Sequence, residues 1–282
     1  MTNDEERHDV EQAVAQHYTH GSLEAAILGG LRSSGKNPER IDPDDLVAVD
    51  EFHIGGRQAT VEFADQLGLR PGMELLDVGS GIGGPARYFA HHRKCRVTGI
   101  DLTDEYVRVA TSLSQRTGLA AHVKFVQGSA LNLPFPPASF DGAYMLNVGM
   151  NIGDKAALFA QMKRVLRPGG FFAVYDVMRT GAGDLAFPVP WARTAESSFV
   201  AATDDYRRLL RDAGFAVQAE RERRAFAIEF FKKMQARVAE SGLPPLGLHI
   251  AMGSDFREKV RNLVANLENG LLAPTEMIAR AT

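Results

Sequence analysis

Cysteine is nearly absent from this chain: Cys95 is the single one in 282 residues. One thiol cannot form an internal disulfide framework or a cysteine-based metal cluster. Cys95 lies in the apolar-flanked run Cys95-Arg96-Val97, which favours a packing role at the start of a strand over a role as a nucleophile. No set of histidines and carboxylates has a convincing metal spacing either, so we predict that the protein holds no metal.

Long apolar runs and dense basic clusters are also lacking. No uncharged apolar stretch is long enough to span a bilayer, and the charged residues 1–16 lack the apolar core of a signal peptide. We therefore expect a cytoplasmic protein without a membrane span. The formal net charge is −3, and the densest basic run, residues 220–224, contains two glutamates of its own. Both observations disfavour a nucleic acid as substrate or partner.

The chain divides into regions of different pattern. Residues 1–66 have an interrupted helical pattern, and we expect them to form an N-terminal helical lid. The interruptions lie at Gly29-Gly30, Ser33-Ser34-Gly35 and Asp42-Pro43. Residues 67–282 are expected to form the main domain, with an insertion at about 179–203 and C-terminal helices.

Residues 67–178 alternate short β-rich runs with helical ones, a pattern that predicts parallel βαβ units. Such units are right-handed and place helices on both faces of the sheet. The expected strands are apolar runs at residues 74–78, 95–100, 122–127, 140–146 and 171–176. Later runs at 215–220 and 271–279 predict a sixth and a last strand, so the fold class is α/β.

A glycine-rich turn, GSGIGG at Gly79–Gly84, lies between the first strand and a helix. Glycines let the backbone turn tightly and let a ligand approach closely. Asp101 ends the neighbouring strand 22 residues after Gly79, where a carboxylate can accept hydrogen bonds from ribose hydroxyls. Taken alone, this pattern is also a dinucleotide fingerprint. Asp77, inside the first strand, needs a polar partner such as a cationic cofactor end or backbone donors.

Motifs over about residues 72–178 resemble, in order, those of class I S-adenosylmethionine-dependent methyltransferases. They are LLDVGSGIGG at 75–84, GIDL at 99–102, QGSA with LPF at 127–135, FDGA at 140–143 and RVLRPGG at 164–170. The resemblance implies a seven-stranded, mostly parallel Rossmann-like sheet whose last strand is antiparallel. Looser similarity, in HIG at 53–55 and GIGGPAR at 81–87, is to small-molecule methylases of the ubiquinone/menaquinone C-methylase and sarcosine/dimethylglycine N-methyltransferase type.

The resemblance also implies which residues bind S-adenosylmethionine and its product S-adenosylhomocysteine. With Asp77 added for its buried charge, the cofactor-binding residues are expected to be Asp77, Gly79, Gly81, Asp101, Leu102, Ser129, Ala130 and Leu146. Asp101 would hold the ribose, and Leu102, Ser129 and Ala130 would surround the adenine. The family usually has an aspartate at the position of Ser129, so a carboxylate contact to the adenine amino group is missing from that strand.

Candidates for the acceptor side lie around the strand ends. Tyr18, which would also touch the cofactor, and His53 are expected to face the site from the lid, and His53 is a candidate general base because its ordinary pKa is near 6.5. Asn147 and Asn151 follow the fourth strand; Asn147 would contact substrate, and Asn151, where some relatives have histidine, is a candidate catalytic residue that would orient the acceptor. Trp191 lies in a Pro-punctuated segment that would wall an apolar substrate pocket, pack on the core, or form a dimer contact.

The sequence therefore predicts an S-adenosylmethionine-dependent methyltransferase with a small-molecule acceptor. Carbon, nitrogen and oxygen all stay open as the atom that is methylated. Two alternatives stay open. Ser129 and the absent histidine at position 151 leave room for a non-catalytic cofactor-binding protein of the same fold. In either case a homodimer is a possible assembly. An NAD-dependent oxidoreductase is disfavoured by the early helical segment and by the motifs after the fourth strand.

Overall fold

The computed structural model describes residues 3–282, with side chains from Arg7 onward. Its centre is a seven-stranded sheet in the order β3-β2-β1-β4-β5-β7-β6. The strands are β1 Glu74–Val78, β2 Arg96–Asp101, β3 Val123–Gln127, β4 Phe140–Leu146, β5 Leu166–Arg179, β6 Phe215–Glu222 and β7 Leu272–Ala281. Strands β1 to β5 pair in parallel, whereas β7 runs antiparallel to β5 and β6. The predicted fold is confirmed.

Helices cover both faces of this sheet. They are α1 Asn3–Tyr18, α2 Leu23–Ser33, α3 Val47–Asp50, α4 Gly56–Asp65, α5 Gly84–Arg93, α6 Asp104–Arg116, α7 Lys155–Val165, α8 Thr203–Asp212, α9 Arg224–Ser241, α10 His249–Met252 and α11 Phe256–Glu268. Leu76 and Val78 of β1 pack in one core with α7 and α8. Leu75 packs in another with α4 and α5. Because both faces are covered, the central strands carry few charges.

The register of the parallel strands brings their carboxyl ends to one edge. Val78 at the end of β1 is level with Ile100 of β2 and with Met145 of β4. Asp101, the last residue of β2, is level with Gln127, the last residue of β3. Ligands of open α/β sheets bind outside this edge, where the strand order reverses. Here the reversal lies between β1 and β4, beside the glycine turn.

Strand β5 is longer than expected at its carboxyl end. The sequence predicts an end at Asp176, but antiparallel pairing with β7 continues to Arg179, opposite Leu272. The chain therefore stays in the sheet up to Arg179, past the predicted end of β5, and residues 180–202 follow outside the sheet. The insertion therefore begins close to the ligand-binding edge.

The N-terminal region is helical, but Gly29-Gly30 does not interrupt it, and that prediction is wrong. Both glycines lie inside α2. A Cβ atom at Gly30 would be 2.7 Å from the carbonyl oxygen of Pro245, so the missing side chain lets two backbones pack closely. This packing outweighs the low helix propensity of glycine.

Most of residues 1–66 is packed into the main domain. Phe63 of α4 is fully buried in the same core as Leu75 of β1. Ile27 and Leu31 of α2 are fully buried in a core that includes Leu113 of α6. Helix α1 has no residue in these two cores among its described side chains except Tyr18, which packs at the margin of the second. Within the N-terminal region, α1 is thus the helix that packs least into these two cores.

None of the helices described over residues 3–282 combines the length and the apolar character that crossing a membrane requires.

Candidate functional site

The glycine turn after β1 is held open by its own backbone. Gly79 and Gly81 have φ of +67° and +52°, in the left-handed region that favours glycine. The Gly79 and Ser80 amides donate to the carbonyl oxygen of Ile100 over 2.8 and 3.0 Å, which fixes the turn against β2. A Cβ atom at Gly79 would be 2.5 Å from Val148, whereas no described atom lies within 4 Å of one at Gly81. The space above Gly81 is therefore free for a ligand.

Asp101 lies beside this space at the end of β2. One of its carboxylate oxygens accepts from the Gly81 amide over 2.8 Å, and the other accepts from the Thr103 amide over 2.9 Å. Burial raises its pKa, and these amide bonds act in the opposite direction. Each carboxylate oxygen can accept more than one hydrogen bond. Asp101 therefore has capacity left for donors in the cavity that it lines.

Asp77 is a buried carboxylate without sufficient partners. It is 2% exposed, and its Oδ2 atom has no hydrogen-bond partner among the described residues. Burial raises its pKa to about 8, although the neighbouring Tyr144 hydroxyl, itself outside hydrogen-bond geometry, acts in the opposite direction. It lines the same cavity as Asp101. A cationic group placed at this edge would stabilise the ionised carboxylate.

One contact at the end of β3 is not predicted by the sequence. Leu102 and Ala130 line the cavity, as expected of residues beside a bound base. The Ser129 hydroxyl accepts from the Leu131 amide over 3.0 Å and donates to the carboxylate of Glu11, on α1. Glu11 also lines the cavity. Glu11 could not be identified from the sequence, because no motif marks it and the contact spans 118 residues.

Two asparagines after β4 bind the N-terminal region to the strand ends. Asn147, whose φ is +56°, accepts from the Ile54 amide through Oδ1 over 2.8 Å. Asn151 accepts from the hydroxyl of Tyr18 over 3.2 Å and donates to the carbonyl oxygen of Val148 over 3.3 Å. Both asparagines, Tyr18 and Leu146 line the cavity. The amide nitrogen of Asn147 also donates to the carbonyl oxygen of Tyr175 over 3.4 Å. Each amide nitrogen therefore has one N–H group left for a ligand.

His53 lies in the cavity wall with 2% of its side chain exposed. Its Nε2 atom is 3.0 Å from the Thr60 hydroxyl, which donates to Glu51 over 2.6 Å. Since that hydroxyl has one proton, it must accept from Nε2–H, which leaves Nδ1 of a neutral ring without its proton. Burial lowers the pKa of His53. The sequence identified the histidine but not its two partners.

The cavity has a volume of about 1100 Å³ and two halves. The strand-end half is formed by the residues that follow β1 to β4. The roof half is formed by α1, residues 180–202 and α9 to α11. Trp191 is 5% exposed, lines the roof half and donates from Nε1 to the Ser198 hydroxyl over 3.0 Å. Of the alternatives for this segment, the structure supports a pocket wall that also packs on the core.

Within residues 7–282, whose side chains the structure describes, no group of three or more His, Cys, Asp or Glu side chains is arranged to hold a metal ion. The polar groups that converge at the strand-end half are instead the carboxylates of Asp77 and Asp101. Carboxylates next to an open glycine turn suit a ligand with hydroxyl groups and a positive charge.

Comparison with known proteins places a methyltransferase domain at residues 76–174. A sterol 24-C-methyltransferase of Gibberella zeae is 37% identical over 121 residues, which are 43% of this chain and 32% of that protein. The alignment thus spans about a third of that relative's length.

Two solved structures share the fold more widely. A putative sarcosine dimethylglycine methyltransferase from Galdieria sulphuraria superposes with a TM-score of 0.68 at 18% identity, covering 80% of this chain and 86% of the other. A [4+2]-cyclase superposes with a TM-score of 0.70 at 21% identity, covering 96% of both chains. At these identities the likeness establishes the class I fold, including, in the second case, the parts of the chain that build the roof half.

Proposed function

We propose that this chain, which contains a methyltransferase domain at residues 76–174 in a class I fold, is an S-adenosylmethionine-dependent methyltransferase that acts on a small molecule. The observation that carries the proposal is the strand-end half of the cavity. There, the open space above Gly81 lies beside the carboxylate of Asp101 and near the under-partnered carboxylate of Asp77.

The residues present fit the cofactor part by part. Asp101 would accept hydrogen bonds from both ribose hydroxyls, because its carboxylate is fixed by the Gly81 and Thr103 amides and lines the cavity. Asp77 would face the positively charged methionine end, which would give its unpartnered Oδ2 atom a partner of opposite charge. Leu102 and Ala130 would flank the adenine.

When bound, S-adenosylmethionine supplies a sulfonium methyl group that is already activated. The chain must align the acceptor with that group and exclude water; such alignment lowers a barrier by roughly 7–11 kcal/mol in favourable cases. Asn147 and Asn151 would orient the acceptor, because both line the cavity after β4 and are themselves held by Ile54 and Tyr18.

His53 would accept a proton from the acceptor where the reacting atom carries one. Its ring lies in the cavity wall, and Glu51 lies 3.7 Å from Nε2 to stabilise the cation that would form. The hydrogen bond to Thr60 fixes the tautomer. A positioned base of this kind contributes about 10²–10⁴-fold to a rate.

Helix α1 would act as the lid. Its hydrogen bonds at the cavity edge join Arg7 to Asp154, His17 to the Pro190 carbonyl oxygen, and Tyr18 to Asn151. Its apolar packing is confined to its end, where the Tyr18 ring lies beside Phe52 and Tyr106. Polar contacts at a surface are replaced by water at low cost, unlike the apolar packing of α2. Opening would expose the cavity, and closure would exclude water from it.

Titration calorimetry tests the proposal against the NAD-dependent alternative. The protein is expected to bind S-adenosylmethionine and S-adenosylhomocysteine saturably and to give no binding heat with NAD. Binding of NAD without binding of either S-adenosyl compound would overturn the proposal.

A further inference from the structure

The proposed function assigns no particular ligand to the roof half of the cavity, and the buried wall of this half is apolar. Trp191, Phe231, Met252 and Leu263 line it, and each is buried and belongs to one apolar cluster. Half-buried Met234 and Val238 of α9 continue this lining outward. The ligand that gains most from such a wall is one that buries hydrocarbon against it.

Charged groups are kept at the margin of the roof half or are already paired. Of the cationic side chains that line the described cavity, Arg7 pairs with Asp154, Arg57 with Glu51, and Lys233 with Glu229. Arg237 is exposed on α9. A phosphate placed in this half would lose its hydration without gaining a buried cation, which is strongly unfavourable.

The rim of the cavity carries two exposed apolar side chains beside its charged ones. Val10 of α1 and Leu243, just after α9, are each more than a third exposed, and both line the cavity. Among the side chains described in residues 7–282, these two are the exposed large hydrophobic ones. These two side chains offer an apolar ligand contacts at the rim, on α1 and just after α9.

From these observations we infer that the roof half binds the methyl acceptor as a neutral, largely hydrocarbon molecule. The inference rests on the proposed function, because it assigns the strand-end half to the cofactor. About 1100 Å³ exceeds the usual upper range of a single-ligand pocket, about 1000 Å³, and so leaves room for two ligands side by side.

The single tryptophan gives a direct test. In the presence of S-adenosylhomocysteine, Trp191 emission is measured during titration with farnesol, farnesyl diphosphate and farnesylamine, which share one hydrocarbon chain and differ in the charge of the head group. Dehydroergosterol serves as a bulkier neutral probe. We expect a saturable change with a neutral probe and at least about ten-fold weaker binding of both charged compounds.

Matched variants on α9 locate the effect. Met234→Glu puts a charge on the lining, and Gln235→Glu puts the same charge on the adjacent exposed residue, which does not line the cavity. The first is expected to weaken the neutral probe at least about ten-fold, because Met burial is lost and a charge is introduced; the second leaves it unchanged. If Met234→Glu no longer binds S-adenosylhomocysteine, Val238→Glu takes its place.

Binding of S-adenosylhomocysteine together with a preference for a charged probe, or with no response to either neutral probe, would overturn the inference and leave the proposed function intact. Absence of S-adenosylhomocysteine binding in the unmodified protein would instead overturn the proposed function.

A second inference comes from a different observation, the contact between Ser129 and Glu11. Ser129 follows β3, next to Gly128 and Ala130 in the cavity wall, where the adenine edge is expected. A carboxylate is missing from the strand at this point, and Glu11 brings one from α1. The geometry points to Glu11 as the residue that accepts a hydrogen bond from the adenine amino group.

The arrangement is consistent in hydrogen-bond terms. The Ser129 hydroxyl donates to Glu11 and accepts from the Leu131 amide, so it has no proton left for another acceptor. The Glu11 carboxylate has further acceptor sites and lines the cavity. Because Glu11 belongs to α1, adenine recognition would also favour the closed position of that helix.

S-inosylhomocysteine, which has a keto group in place of the adenine amino group, separates this role from a general one. Calorimetry is expected to show that the unmodified protein prefers S-adenosylhomocysteine by about ten-fold or more. Glu11→Gln should remove most of that preference, and Glu11→Gln with Ser129→Asp should restore it from the strand. Asp9→Asn, an exposed residue of the same helix outside the cavity wall, controls for charge. An unchanged preference in Glu11→Gln would overturn the assignment.

Discussion

The two halves of the cavity are built in different ways. The strand-end half is fixed by main-chain geometry: left-handed glycines, amide bonds to Ile100, and a carboxylate held by two further amides. The roof half is fixed by side chains that meet from distant parts of the chain, such as Trp191 and Leu263. Cofactor binding can thus stay the same in the strand-end half while the choice of acceptor changes in the roof half. Substitutions in each half test whether the two halves act independently.

The largest effect is expected from Asp101→Ala. The change removes the acceptor for two ribose hydroxyls, and each hydrogen bond to a charged group contributes roughly 1.5–3 kcal/mol, so affinity for S-adenosylhomocysteine should fall by about 100-fold or more. Calorimetry measures it. Asp104→Ala, which removes an exposed carboxylate paired with Arg108, is the control and should leave affinity unchanged. Equal affinities in the two variants would mean that Asp101 does not hold the cofactor.

The next largest effect separates two glycines of one turn. Both alanine substitutions place a side chain at positive φ, at about 1–2 kcal/mol. Gly79→Ala also presses on Val148, which adds about 1–3 kcal/mol, whereas Gly81→Ala projects into empty space. Thermal unfolding should show the larger loss for Gly79→Ala. For a given loss of stability, Gly81→Ala should lose more affinity for S-adenosylhomocysteine than Gly79→Ala does. A greater loss of affinity in Gly79→Ala would show that the space above Gly81 is not the cofactor site.

A pH-dependent effect is expected from Asp77. Its pKa of about 8 lies above the ordinary value near 3.9, so the folded ligand-free protein retains a proton that the unfolded chain has released. Stability from this group is present below about pH 4 and is lost as the pH rises toward 8. Denaturant titrations of the protein and of Asp77→Asn should diverge across that window, with the variant less sensitive to pH. Parallel pH profiles would contradict the raised pKa.

Binding should report on the same carboxylate. A cationic methionine end would lower the pKa of Asp77, so the complex releases protons near neutral pH. Calorimetry at pH 7 in phosphate and in Tris should therefore give different heats for the protein and equal heats for Asp77→Asn. Equal heats in both buffers for the unmodified protein would mean that nothing cationic approaches Asp77.

The smallest effect is expected in the roof half. Tyr18→Phe removes the hydrogen bond to Asn151, an exchangeable contact of about 0.5–1.5 kcal/mol, and should raise hydrogen exchange in α1 without changing exchange in α2. Cofactor should slow exchange in α1 of the unmodified protein. Exchange in α1 that is indifferent to cofactor, or opening of α2 together with α1, would remove the lid from this account.

The sequence predicted the strand-end half because its determinants are local. Glycines between a strand and a helix, and an acid at the end of the next strand, specify the turn wherever the rest of the chain lies. Glu11 next to Ser129 and Thr60 next to His53 could not be predicted in the same way, since those pairs form only when separate elements pack. Gly30 shows the limit of propensity: a close approach to Pro245 keeps it helical.

The most direct test of the central claim follows the methyl group itself. Methyl-labelled S-adenosylmethionine is incubated with the protein and, separately, with the organic-soluble and the aqueous fractions of a cell extract. The account predicts protein-dependent transfer of label into an organic-soluble product, abolished in Asp101→Ala. Label that remains entirely in S-adenosylmethionine with both fractions, although the compound binds, would contradict methyl transfer and favour a cofactor-binding protein without this activity.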